Sequence, residues 1–197
     1  MIDMDSSLGE YFEALYDITL RIASSLDLDD VLSYLTEETA KAIHARASSV
    51  RLLDKEHLRL EMRAVYGLSE AYLDKGPVVL ERSPVDRAIL GGQVSQLADV
   101  TTDPNFQYPE AAAREGIVSV ASVPLIAHAR PVGVFRVYST QRRNFSDEDM
   151  RFLTAVADLA ALCIENAKLY DQMRQRYEDS RQNYEATMNI LWGDQPG

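Results

Sequence analysis

The sequence predicts an α+β domain closed at both ends by helices. Three observations carry the prediction: helix-period apolar stripes at either end of the chain, two pairs of strand-like runs between them, and a long irregular stretch separating the pairs. The 197 residues suit one core of about 150 residues plus an extension. Hydrophobic residues at 46% and charged residues at 26% put the chain among globular proteins, away from disordered ones.

Segment 6–25 sets Leu8, Phe12, Leu15, Ile22 and Leu26 at helical spacings, with Ser6 or Ser7 as its cap. A second helix starts at "LDLDDVLSYLTEETAKAI", where Asp27 caps and Val31, Leu32, Leu35 and Ile43 supply the buried side. Strands follow at "ASSVRLLD" (47–54) and "HLRLEMRAVYG" (57–67), joined by Asp54-Lys55-Glu56 as a hairpin, with alternation through Leu58, Leu60, Met62, Ala64 and Tyr66. In "SPVDRAILGG", Ser83 reads as N-cap, Pro84 as first helical residue and Gly91 or Gly92 as the stop of a short helix. "LADVTTDPNFQYPEAAAREG" then runs roughly twenty residues with two prolines and one or two helical turns at 109–115. Long irregular connections of this kind are often binding loops. "IVSVASVPLIA" and "RPVGVFRVYS" give two more strands about a turn at "HARP". The last helix opens at Ser146, with Asp149 three residues on, and meets no proline or glycine until Gly193.

Composition excludes several functions. A formal charge of −11 opposes binding of nucleic acid or anionic lipid surfaces by the whole protein. The N-terminus has neither a basic region nor an apolar core of signal-peptide length, and no run reaches the ~18 apolar residues that span a bilayer, so a cytoplasmic protein without membrane contact is expected. One cysteine, Cys163, allows no internal disulfide and no dithiol chemistry within one chain.

The stretches "SSVRLLD", "AVYGLS", "GIVSVASVPLIAHARPVGVFRVYS" and "FSDEDMRFLTAVADLAALCIENAKLYDQ" resemble, in this order and over roughly residues 10–172, the GAF domain family. The resemblance implies a central antiparallel sheet of about six strands, terminal helices on one face, and a small-molecule pocket under loops and short helices on the other. It also implies a sensory module of bacterial-type signalling upstream of an output such as a histidine kinase, a diguanylate cyclase or a transcription activator. On this basis residues 1–26 form an N-terminal dimer helix, 27–165 the domain core, 166–192 a signalling coiled coil and 193–197 a tail.

Alternation then selects a site. If Phe135 and Val137 face the helices, Val134, Arg136 and Tyr138 face away; likewise Val50 and Leu52 face the helices, and Ser49, Arg51 and Leu53 the other side. The two strands are neighbours in the family, so Arg51 and Arg136 stand together on the pocket face. Two guanidiniums there need an anion, either a side chain such as Glu61 or a bound carboxylate or phosphate. Phe106 and Tyr108, close to Asp103, either close over a ligand as a lid or plug a second core of the domain itself. Val120, on the strand facing Arg136, completes the expected lining.

Cyclic nucleotide binding is not supported, because the Asn-Lys pair of such relatives is missing before "NFSDEDM". Covalent bilin is not supported either, since Cys163 falls in the last helix. His44, His57 and His128 are scattered over a helix end and two turns and make no metal or haem cluster. No nucleophile and base share a spacing, so a non-catalytic protein is expected; any cofactor is unknown. From the last turns of the domain core onward, the positions Leu159, Cys163, Asn166, Tyr170, Met173, Tyr177, Ser180, Tyr184, Thr187 and Leu191 keep a heptad rhythm suited to a weak two-stranded coiled coil, hence a homodimer. The expected function is a dimeric sensor of an unidentified, small, anionic molecule; the alternative is a structural dimerisation module whose pocket its own side chains fill.

Overall fold

In a computed structural model describing residues 4–192, with side chains for residues 7–185, the helices are α1 (Met4–Ser24), α2 (Leu28–Ala42), α3 (Glu70–Leu73), α4 (Pro84–Leu90), α5 (Pro109–Glu115) and α6 (Asp147–Trp192). The strands are β1 (Ala47–Leu53), β2 (Arg59–Tyr66), β3 (Val78–Val79), β4 (Ser95–Leu97), β5 (Ser119–Ala127) and β6 (Arg130–Ser139). They pair antiparallel in one sheet ordered β3-β2-β1-β6-β5-β4. The chain divides into one compact unit, Met1–Leu162, and a second, Cys163–Gly197. The expected tail, 193–197, lies outside the described residues.

Local chemistry sets most boundaries. Asp27 caps α2 by accepting from the backbone N–H groups of Asp29 and Asp30, and Val31, Leu32, Leu35 and Ile43 are buried as their spacing predicts. Ser83 caps α4 with Pro84 in its first turn. At the start of α6, the Asp149 N–H donates to Ser146 Oγ at 3.1 Å while the Ser146 N–H donates to Asp149 Oδ2 at 2.9 Å, a reciprocal capping box. The same carboxylate accepts from Arg143 at 3.0 Å and from the Tyr11 hydroxyl, and the Tyr11 ring stacks on Phe152 with centroids 4.4 Å apart. Asp149 therefore ties α1 to the opening turn of α6.

Two expectations for α1 need correction. The helix begins at Met4, so Ser6 and Ser7 lie inside it and do not cap it. Its inward row is Tyr11, Ala14 and Ile18, whereas Leu8 and Phe12 point to solvent at 61% and 72% exposure, and Leu26 lies beyond the helix fully exposed. Both rows obey helical spacing, and the row with the larger side chains faces outward. The short strands β3 and β4 and the single turn α3 escaped sequence reading because two to four residues show no period.

The central pair, β1 and β6, positions the site. Ser49 lies opposite Arg136, and Arg51 opposite Val134. Ser48, on the other face, donates to the Thr36 carbonyl of α2 at 2.5 Å. The β1–β2 register shifts between Val50, paired with Ala64, and Arg51, paired with Met62, so Arg63 is the extra residue of a bulge that interrupts the predicted alternation. Gly133 lets β6 approach β1 closely: a Cβ there would lie 2.1 Å from the Arg51 carbonyl oxygen. Gly133→Ala must push the strands apart beside Arg51, and urea unfolding is expected to show a loss of roughly 1–3 kcal/mol or more.

Candidate functional site

Three covers close over the pocket face: the α3–β3 segment, α4, and the stretch through Phe106 and Tyr108 that leads into α5. Tyr108 donates its hydroxyl to the Pro77 carbonyl at 2.7 Å, and Gln107 accepts from the Val79 N–H at 3.0 Å, so the last stretch is fastened to β3. Glu115 accepts from the Ser69 N–H at 2.9 Å and from the Ser69 hydroxyl, joining α3 to α5. Beneath lie two apolar clusters. Tyr72, Val100, Phe106, Ile117, Val120 and Tyr138 belong to one, and Leu60, Val78, Ile89 and Val134 make the other.

Between the covers and the sheet, Arg51, Tyr72, Lys75, Val78, Asp86, Phe106, Gln107, Tyr108 and Arg136 surround a cavity of about 10 Å³, close to the minimum for a single water. Arg51, Lys75, Glu61, Met62, Leu73, Gly76 and Pro77 line an adjoining, more open recess of about 280 Å³. Arg51 and Lys75 border both spaces.

The two arginines are buried alike and paired differently. Arg136 donates through Nη2 to Asp86 Oδ1 at 2.5 Å and through Nε to Ser122 Oγ at 2.8 Å; both charged side chains are 4% exposed. Asp86 is held in turn by Ser83, whose hydroxyl donates to Oδ2 at 2.6 Å. Burial works against the Arg136 charge, and Asp86 together with Tyr138 and Tyr72 more than offsets it. Arg51 is 1% exposed, and its one near partner is the Tyr138 hydroxyl at 3.5 Å from Nη2. That hydroxyl also shares a 2.9 Å hydrogen bond with Ser49 Oγ. Arg51 Nε is buried with no hydrogen-bond partner, and no carboxylate among the described residues forms an ion pair with this guanidinium.

Lys75 adds a third basic group. Its amine donates to the Tyr72 carbonyl at 3.1 Å and sits 3.6 Å from the Tyr72 ring centroid and 5.6 Å from that of Tyr108. Burial, reinforced by Arg51 and Arg136, pulls its pKa down to about 7. Burial and neighbouring Tyr138 push the Tyr72 phenol up, so its hydroxyl stays protonated. The site thus holds two fixed cations, one titrating amine and one carboxylate, the last already committed to Arg136.

Alternation and the roof stretch bring Arg51, Arg136, Tyr138, Phe106 and Tyr108 together in the sequence; four of them line the inner cavity, and Tyr138 stands behind it with its hydroxyl 3.5 Å from Arg51. Asp103 does not join them: its carboxylate accepts from the Asn105 N–H at 2.8 Å and its carbonyl from the Phe106 N–H at 3.2 Å, so it shapes a turn. Val120 packs in the apolar cluster beside Tyr138 and does not line the cavity. Glu61 is exposed in the outer recess, and the carboxylate that meets a guanidinium is Asp86 instead. Asp86, Lys75, Tyr72 and Gln107 went unread. Asp86 carries a true local signal, its cap with Ser83, which says nothing about a partner fifty positions away. His44, His57 and His128 all occupy left-handed turn positions (φ 50°, 58° and 49°), and no group of three or more potential ligands for a metal ion occurs among the described residues.

Removing one member of the buried pair strands the other. Asp86→Ala is expected to lose about 3–5 kcal/mol, and Asp86→Leu combined with Arg136→Met to recover most of it; urea unfolding of the single and double variants checks both.

Comparisons with known proteins agree with this architecture. The chain is 25% identical over 181 residues to the methyl sulfide methyltransferase-associated sensor of Methanosarcina acetivorans, covering 89% of this chain and 18% of that protein. It therefore spans less than a fifth of the length of that relative. The GAF domain of a phosphoenolpyruvate-protein phosphotransferase from Coxiella burnetii superimposes with a TM-score of 0.73 at 19% identity, over 83% of this chain and 97% of the other. The free methionine-R-sulfoxide reductase of Neisseria meningitidis, solved with its substrate, does so with a TM-score of 0.68 at 20% identity, over 81% and 91%. At such identities the likeness is one of fold. Residues 25–165, most of the chain, match the GAF domain profile, and the protein belongs to the GAF domain family.

Proposed function

We propose that this GAF domain is a non-catalytic sensor that binds a small anionic molecule beneath residues 99–118 and passes its occupancy to an output through paired terminal helices. The observation that carries the reading is Arg51, a guanidinium buried to 1% exposure with no carboxylate among the described residues to meet it. A charge so placed is expensive unless something neutralises it. A carboxylate or phosphate bound beside it supplies the missing charge, and Tyr72, which lines the same cavity, offers it a hydroxyl. The sensor name of the Methanosarcina relative supports the class of function. In a signalling chain the output is of the histidine kinase, diguanylate cyclase or transcription activator kind. No helix among the described residues is long and apolar enough to cross a membrane, which accords with a cytoplasmic role.

Dimerisation has its own support. The outward row of α1, Leu8, Phe12, Tyr16 and Leu20, repeats every four residues at 49–72% exposure. In the second unit Tyr170, Met173, Tyr177 and Tyr184 are exposed in the predicted heptad rhythm; the side chains of Thr187 and Leu191 lie outside the described residues. A second copy of the chain covers such rows at no cost in new polar burial. A ligand preferring one arrangement of the paired helices then shifts the population by its differential affinity for the two.

The second reading, a structural dimerisation module with no ligand, draws on the small inner cavity, filled from above by Phe106, Gln107 and Tyr108. Arg51→Met separates the two. A library of carboxylates and phosphates is expected to contain a compound that raises the melting temperature of the wild type and leaves this variant unmoved. The empty variant should melt no lower than wild type, because an unpaired buried charge has gone. An undiminished shift removes Arg51 from the site. For the dimer, Phe12→Glu is expected to reduce the mass seen by light scattering, and an unchanged mass takes α1 out of the interface.

A further inference from the structure

The anion-sensing reading leaves open which basic groups receive the ligand and what happens to the charge already present. Arg136 is the less suited of the two arginines, because Asp86 and Ser122 already occupy its Nη2 and Nε. Arg51 and Lys75 are shared by the inner cavity and the 280 Å³ recess that leads away past Gly76 and Pro77. An anion arriving from that recess meets these two groups first.

Resting on that reading, we propose that Arg51 and Lys75 form the receiving cradle for a compact carboxylate or phosphate, and that Lys75 takes one proton from the solvent as the anion lands. The groups facing the amine account for this. Arg51 comes from β1, and Arg136 with Tyr138 from β6; the two guanidiniums disfavour a third cation. Tyr72 from α3 and Tyr108 present ring faces, which favour a cation weakly. Asp86 of α4 is spent on Arg136, Glu115 of α5, bonded to Ser69, favours the ammonium without outweighing burial and the guanidiniums, and Glu61 of β2 stands exposed in the recess. In the empty site the two guanidiniums and burial dominate, and the amine loses its proton at about pH 7. An anion held between Arg51 and Lys75 cancels one of those guanidiniums and attracts the ammonium directly, which moves Lys75 back toward the ordinary lysine value near 10.4.

The sign follows from linkage. Below pH 7 Lys75 already carries its proton, so binding draws none. Above it, each anion bound draws in up to one proton, and affinity falls by up to about tenfold per pH unit until the bound-state value is passed.

Sulfate and oxalate serve as probes because neither changes charge between pH 6 and 9. Calorimetric titration of the full chain in two buffers of different ionisation enthalpy reads proton uptake directly. The expected result is uptake near zero at pH 6 and close to one proton per anion at pH 8.5, with weaker binding at the higher pH. Lys75→Arg should bind with no uptake and a flat pH profile; Arg51→Gln should lose binding at both pH values. The chain has four lysines, Lys41, Lys55, Lys75 and Lys168, so lysine 13Cε spectra of the wild type give a second measurement. One signal is expected to titrate near pH 7 without sulfate and well above it with sulfate. Binding that is equally strong from pH 6 to 9 with no uptake overturns the proton coupling and leaves the anion reading standing. Failure of both probes to bind at pH 6 overturns that reading and this inference together.

Discussion

Burying a guanidinium in an apolar interior is tolerable when a carboxylate and well-placed acceptors come with it, and the pocket side of this sheet is organised around two such groups treated unequally. Arg136 is fully provided for: Asp86 reaches it from α4, Ser83 holds Asp86, and Ser122 completes the guanidinium's bonding. That chain of contacts docks α4 against β6 and fixes one wall of the cavity. Arg51, two strand positions from the residue opposite Arg136, has a tyrosine hydroxyl where its neighbour has an acid. The same sheet therefore carries one neutralised cation that serves as framework and one unneutralised cation that gives the site its polarity.

This division explains why much of the site was legible in the sequence and its chemistry was not. Two-residue periodicity is unbroken from Gly133 to Tyr138 in β6, past a register shift against β5 at Val132, so the sides taken by Val134, Arg136 and Tyr138 follow from their positions alone, and the same argument places Arg51. Asp86 escaped because a carboxylate three residues after a serine at a helix start is explained locally, and that explanation is true. Nothing nearby announces that its second oxygen reaches β6. Lys75 follows a single helical turn and precedes a two-residue strand, a stretch with no period to read; its environment is made entirely by residues distant in the chain. For α1 the difficulty was reversed. Apolar residues on more than one side satisfy helical spacing, and those the spacing puts inside divide: Leu8 and Phe12 are exposed, Leu15 and Ile22 are half-buried, and Tyr11, Ala14 and Ile18 pack inward instead.

Asp149 shows how one short polar motif joins local and tertiary structure. Its reciprocal bond with Ser146 starts α6, and its remaining capacity takes Arg143 and the Tyr11 hydroxyl, whose ring stacks on Phe152 one turn further along. Burial and this carboxylate push the Tyr11 phenol up, so the hydroxyl remains a donor throughout the ordinary pH range.

Gly133 bears on how such a domain diversifies. With the Arg51 carbonyl 2.1 Å from where any side chain would begin, the central strand pair resists substitution at that point, and the stretch of β1 that carries Arg51 keeps its close approach to β6. Overhead, Gln107 and Tyr108 are tied to the Val79 N–H and the Pro77 carbonyl by side-chain hydrogen bonds. A substitution at Gly133 has to move main chain, whereas one at Gln107 or Tyr108 forgoes a hydrogen bond, so the roof is the cheaper part of the site to change.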